Sequence, residues 1–187
     1  MPSSKLLAAP LSAALLLATT VALLPGARAA VAQNVGQLAP ARSSTSSRGP
    51  YHSPELWATI NVCNPKNAPY VVGVRGSMPG DGEPKDAMYM SFRLQYYEET
   101  THKWAELGHG AASGPLSVGP ASTVRQYGRS FTLAAPTHAV KLRGVVAFEW
   151  IRGKRTVYAT ERVTTAGRKN VAGADPTGFS AATCSLD

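Results

Sequence analysis

Cysteine is almost missing from this chain: Cys63 and Cys184 are the only two in 187 residues. A structural zinc site needs more ligands at closer spacing, so that chemistry is excluded. Histidine is hardly more plentiful. His52, His102, His109 and His138 fall in linkers or turns, with no H-E-x-x-H or other ligand spacing among them. No G-x-S-x-G occurs, and Ser77 in Gly76-Ser77-Met78-Pro79-Gly80 lacks the strand-to-helix setting of a nucleophile elbow. No segment after residue 29 carries a 3.6-residue apolar stripe, which argues against the interleaved helices of a parallel sheet. No later run reaches the roughly 20 apolar residues of a membrane span. A nucleic-acid recognition motif is missing as well.

What is present begins with a leader. Lys5, the apolar run Leu11 to Leu24, the breaker Pro25-Gly26 and then Ala27-Arg28-Ala29 follow one another as charged region, apolar region and cleavage site. Residues 1–29 therefore read as a signal peptide, with Ala30-Val31-Ala32 as a second cleavage candidate. The alternative, a membrane anchor, fits poorly because the run is short and broken by Ser12, Thr19 and Thr20. A secreted, extracellular or cell-wall-associated protein is expected. An oxidising compartment makes a Cys63–Cys184 disulfide the natural use of the two thiols. Residues 30–55, rich in Gln, Ala, Pro, Arg, Ser and Thr, read as a flexible linker or a plain disordered tail. The domain then spans 56–187. The net charge of +8 falls to +6 once Lys5 and Arg28 leave with the leader.

The domain reads as β throughout. Val140 to Thr164 suggests a long hairpin: Leu142, Gly144, Val146, Phe148 and Trp150 alternate with Lys141, Arg143, Ala147 and Glu149, and Gly153-Lys154 supplies a tight turn. On the return arm the alternation puts Val157, Ala159 and Val163 in phase with Trp150. Tyr158, Thr160 and Arg162 then face outward, and Glu161 is a misfit on the apolar face. Ala87 to Tyr97 gives the cleanest single strand, with Met88, Met90, Phe92, Leu94 and Tyr96 on one side and Tyr89, Ser91, Arg93, Gln95 and Tyr97 on the other. In Leu56 to Cys63 both faces carry residues that want burial, so the strand is central or a bulge switches its phase. Tyr70 to Arg75, Trp104 to Leu107 and Thr123 to Leu133 complete the strands. The Gly- and Pro-rich runs Gly76 to Asp86 and Gly108 to Pro120 read as loops. About seven or eight short strands with one disulfide imply an all-β, antiparallel sandwich, immunoglobulin-like or fibronectin-like.

Candidate chemistry is thin. Met78, Met88 and Met90 are soft donors that could hold Cu(I) beside a histidine, although Met88 and Met90 also continue the core stripe. Asp81, Glu83 and Asp86 share one loop and could take calcium, without the spacing of a known calcium loop. Glu149 and Glu161 are the only strand-borne carboxylate pair, and they start on opposite faces. The residues that favour binding are Tyr89, Arg93, Tyr97, Tyr158 and Arg162, tyrosines and arginines assigned to outward strand faces.

Four stretches carry a resemblance: Gly76-Ser77-Met78-Pro79-Gly80, Met88 to Gln95, Phe148-Glu149-Trp150-Ile151-Arg152-Gly153 and Asp175-Pro176-Thr177-Gly178-Phe179-Ser180. In them the chain resembles small secreted β-sandwich proteins of high-GC Gram-positive bacteria, a group without an assigned function. The resemblance implies a secreted, disulfide-closed sandwich and no catalytic residue. The expectation is a non-enzymatic envelope module without a cofactor, contacting an anionic cell-wall polymer or another envelope protein. The alternative is a small copper-handling domain or a hydrolase.

Overall fold

The computed structural model describes residues 49–108 and 110–187. The leader expected at 1–29 and the linker residues 30–48 lie outside the described residues. Nine strands follow a 3-10 turn at Pro50–His52: β1 Trp57–Cys63, β2 Val71–Met78, β3 Ala87–Glu98, β4 Lys103–Glu106, β5 Leu116–Pro120, β6 Arg125–Thr132, β7 Val140–Arg152, β8 Arg155–Val163 and β9 Cys184–Leu186. They form two antiparallel sheets. The smaller runs β1-β2-β6; the larger runs β4-β3-β7-β8, with β5 added to β3 and β9 to β7. The expected all-β sandwich is what the chain builds.

Its core follows from the alternation. Met88, Met90, Phe92 and Leu94 of β3 and Leu142, Val146, Phe148 and Trp150 of β7 are buried against Ala58, Ile60, Val72, Val74 and Met78 of the smaller sheet. Small residues make room where the sheets meet. A Cβ on Gly144 would stand 2.7 Å from both methyl groups of Val74, and one on Gly76 would stand 3.1 Å from the Met90 sulfur. Trp150 is fully buried, and its indole N–H donates to the Pro79 carbonyl at 3.0 Å, so its one polar atom is satisfied.

Besides a register shift between Met88 and Tyr89 where β5 pairs with β3, two bulges set the phases. The first lies between Ile60 and Val62 on β1. It turns Cys63 onto the inner side, where it bonds Cys184 of β9 with Cα atoms 5.5 Å apart. The disulfide therefore staples one sheet to the other.

The second bulge lies at Val157 and overturns the phase expected for the return arm. Arg152 pairs with Arg155 and Ile151 with Thr156, but Trp150 pairs with Tyr158. One extra residue in β8 exchanges its two faces from there on. Tyr158, Thr160 and Arg162 join Trp150 on the inner side, and Ala159, Glu161 and Val163 turn outward.

Three boundaries also differ from expectation. β2 continues through Ser77 and Met78 because β6 pairs with it over its whole length. The Gly- and Pro-rich run contains β5, which pairs with Ala87 to Met90 of β3. Residues 50–52, assigned to the linker, belong to the domain: Tyr51 packs edge-on against Trp150 and Tyr158, with centroids 6.5 and 5.4 Å away.

The two outer faces are treated differently. Over the smaller sheet folds the segment between β8 and β9. Arg168 sits 5.9 Å over the Trp57 ring, Asn61 donates to the Gly173 carbonyl at 2.6 Å, and Gln126 bonds Asn170 and Ala172. Among the described residues, no segment lies over the larger sheet in this way.

Candidate functional site

The outer face of the larger sheet is assembled by register. Tyr97 stands opposite Trp104 and Gln95 opposite Glu106 across β3 and β4. Gln95 also stands opposite Arg143 on β7. The Tyr97 and Trp104 rings meet edge to face, 5.3 Å apart. The Arg143 guanidinium lies 4.4 Å over Trp104, and the Lys141 ammonium 5.9 Å over Tyr97. Two cations thus ride on two aromatic rings at one end of the face. Each such contact is worth about 0.5–1 kcal/mol at an exposed site.

From this cluster a chain of hydrogen bonds crosses the sheet. Arg143 Nε donates to Gln95 Oε1 at 2.8 Å, and Gln95 Nε2 donates to Glu106 Oε1 at 2.8 Å. Arg93 Nε donates to the same Glu106 oxygen at 3.1 Å. Its two terminal nitrogens donate to the two Glu161 oxygens, each at 2.8 Å. Each of the three Arg93 guanidinium nitrogens makes a bond, and bonding to Glu161 raises its pKa further. Arg93 holds the Glu161 carboxyl below the usual carboxylate range. By contrast, among the described residues the Arg143 terminal nitrogens make no bond to the protein, and burial lowers its pKa without discharging it.

The five residues expected to bind do not share a surface. Tyr89, Arg93 and Tyr97 face outward on β3 and are half-buried. Tyr158 and Arg162 lie on the opposite side of the sheet, a consequence of the Val157 bulge. Tyr158 packs between Tyr51 and Trp150. Arg162 donates to the carbonyls of Glu161 and Tyr51 and to the Thr160 hydroxyl. Reading the sequence missed Trp104, Lys141 and Arg143. The signal for them was there: a polar hairpin at Glu98 to Lys103 sets Trp104 opposite Tyr97.

The other candidates are placed as follows. Met78, Met88 and Met90 are all wholly buried, within the core cluster. His52, His102 and His138 are exposed, and His109 lies outside the described residues, so the copper reading loses the surface sulfurs it needed. Asp86 is buried and grips Arg152 through both oxygens at 2.8 and 2.9 Å, an ion pair that pulls its pKa down. Burial, with Asp86 alongside, pushes the Asp81 carboxyl up. Among the described residues no three His, Cys, Asp or Glu side chains gather to hold a metal ion. Glu149 and Glu161 share the outer face, correcting their assignment to opposite sides. A glycosidase acid needs a raised pKa, whereas Glu161 is held low by Arg93.

An apolar cleft of about 390 Å³ opens between Leu107, Leu133, Val140, Leu142 and Leu186, with Thr137 and His138 beside it. It lacks the converging polar groups that orient a substrate. A scan of protein-family models matches none to this chain, and a search of curated proteins finds no relative.

Proposed function

We propose that the protein is a non-enzymatic, extracytoplasmic binding module that holds an anionic cell-wall polymer on the outer face of its larger sheet. The observation that carries this reading is the Arg143–Trp104 stack, whose guanidinium keeps its terminal nitrogens unspent beside Lys141 and Tyr97. Aromatic rings take the apolar faces of polymer units, and the two cations take their carboxylates or phosphates. The leader and the disulfide support export, since a reducing cytosol does not keep such a bond. The strand order, β1-β2-β6 facing β4-β3-β7-β8, supports an immunoglobulin-like or fibronectin-like sandwich.

The test is retention on isolated cell walls at rising salt. Trp104→Ala and Lys141→Glu should each weaken retention about tenfold, and screening should weaken the parent protein steeply. A soluble polyanion should compete, and protease treatment of the walls should not matter. Loss of binding to protease-treated walls would make the partner an envelope protein. Unchanged retention in both variants would move the site off this face.

A further inference from the structure

We infer that the free edge of β6 takes an extended acidic peptide segment as an added strand. The edge is defined by hydrogen-bond parity. Leu133 N–H donates to the Tyr70 carbonyl at 3.0 Å, so the pairs two residues apart along β6, Phe131–Val72, Arg129–Val74, Tyr127–Gly76 and Arg125–Met78, carry the ladder to β2. The Val71 carbonyl instead accepts from Asn64, on the β1 side. Gln126, Gly128, Ser130 and Thr132 therefore turn their N–H and C=O groups away from the sheet. Among the described residues no backbone group meets them.

The remaining edges are short, interrupted or partly covered, β4, β5 and β9 running no more than five residues each. Beside β1, Thr165 and Asp175 donate to the Ala58 and Asn61 carbonyls, and Ile60 exchanges both bonds with Ala181. The edge of β3 is divided among β4, β5 and the Arg93–Ala112 bridge. On β8 the Ala159 N–H reaches the Tyr51 hydroxyl at 3.1 Å. Short, interrupted or covered edges are the usual protection against unwanted strand addition. β6 has none of these: it pairs with β2 over eight residues without a bulge. Two of the three most exposed large hydrophobic residues, Val124 and Tyr127, also stand at this strand.

Charge selects the occupant. Arg125, Tyr127 and Arg129 alternate onto one side of β6, and neither arginine has an ion pair among the described residues. From Glu106 to Glu149 the chain carries no other acidic residue. A second copy of β6 would bring four arginines onto one ribbon face with no carboxylate between them, which opposes self-pairing. The chain's own residues 30–48 contain arginine and no acidic side chain, so they do not complement the edge either. A strand with Asp or Glu at every second position does, since its carboxylates meet Arg125 and Arg129 while its backbone completes the ladder.

The probe is an octapeptide of alternating Glu and Val, with a Lys/Val octapeptide as its control. Amide exchange should slow at Gln126, Gly128, Ser130 and Thr132 with the acidic peptide alone, and its affinity should fall about tenfold on raising salt from low to high. Ser130→Pro removes an edge-facing donor without touching the β2 ladder, so the fold should persist and the protection vanish. If that variant fails to fold, N-methylation of the peptide's edge-facing amides decides, because the protein is then unchanged. Loss of protection with the methylated peptide supports the inference. Equal protection by the lysine peptide, binding indifferent to N-methylation, or edge amides already protected in a dimer would each overturn it.

Discussion

Arg93 and Glu161 clasp each other across an intervening strand. Arg93 belongs to β3 and Glu161 to β8, with β7 between them, and both nitrogen–oxygen distances are 2.8 Å. Beneath the pair lies Val145, an outward-facing residue that is nonetheless only 3% exposed. The clasp thus roofs an apolar side chain on what would otherwise be a wet face.

The two partners should be energetically coupled. A double-mutant cycle of Arg93→Ala and Glu161→Ala, followed by urea unfolding, should give a coupling of about 0.5–1 kcal/mol, the range for half-exposed pairs. Arg93→Ala alone should cost about 1–2 kcal/mol, since it also uncovers Val145. A coupling of zero would mean that the clasp contributes nothing to stability.

Acid should loosen the fold through two carboxylates. Arg152 depresses the pKa of Asp86, and Arg93 that of Glu161. A folded pKa below the unfolded one gives stability that is present above about pH 4 and lost as pH falls through the folded value. Asp81 works the other way. Its raised pKa makes ionisation costly, so its contribution is lost as pH rises from the unfolded value through the folded one. Asp81→Asn keeps an acceptor for the Glu83 N–H and adds a donor for Asp86. The variant should therefore melt higher than the parent at pH 7 and about the same at pH 3. A lower melting temperature at pH 7 would contradict this assignment.

The sheet contact at Gly144 should be intolerant of a single methyl group. A Cβ there meets Val74 at 2.7 Å and Thr164 at 2.8 Å. Gly144→Ala should destabilise by about 1–3 kcal/mol through overpacking, measured as a shift in the urea midpoint with an unchanged slope. An unshifted midpoint would mean that the two sheets separate easily.

Those contacts show which parts of the fold were legible. β3 and β7 pair with one another at the centre of the larger sheet and keep strict alternation, so their inner residues could be named from spacing alone. The bulge in β1 was half legible: Cys63 and Ile60 both needed burial on a strand that put them on opposite faces, which left a central strand or a bulge, and only the register decides for the bulge. The bulge at Val157 was not. The turn at Gly153-Lys154 is as expected, and the extra residue three positions later has no composition of its own. It moved Tyr158 and Arg162 off the candidate face and brought Glu161 onto it. Pairing across strands decided the rest. Trp104 and Arg143 are far apart in sequence, and only the register of β3 with both β4 and β7 stacks them.

Removing the cross-link should be costly. Its ends are separated by 121 residues, a loop for which chain-entropy arguments give about 4–5 kcal/mol. Replacing both Cys63 and Cys184 by Ala should lower the melting temperature by about 10 °C or more in scanning calorimetry. A drop of less than about 2 °C would show that the unlinked chain is already as constrained.

The same bond governs how the domain bears tension. Cys63 closes the first strand and Cys184 opens the last, so a pull on the two ends passes through the sulfur bridge instead of along the strands between. Among the described residues, those outside the closed loop are 49–62 and 185–187, and fully drawn out they lengthen to about 60 Å. The strands inside cannot be unravelled by force while the bridge holds. Under load the domain is a tether of fixed length.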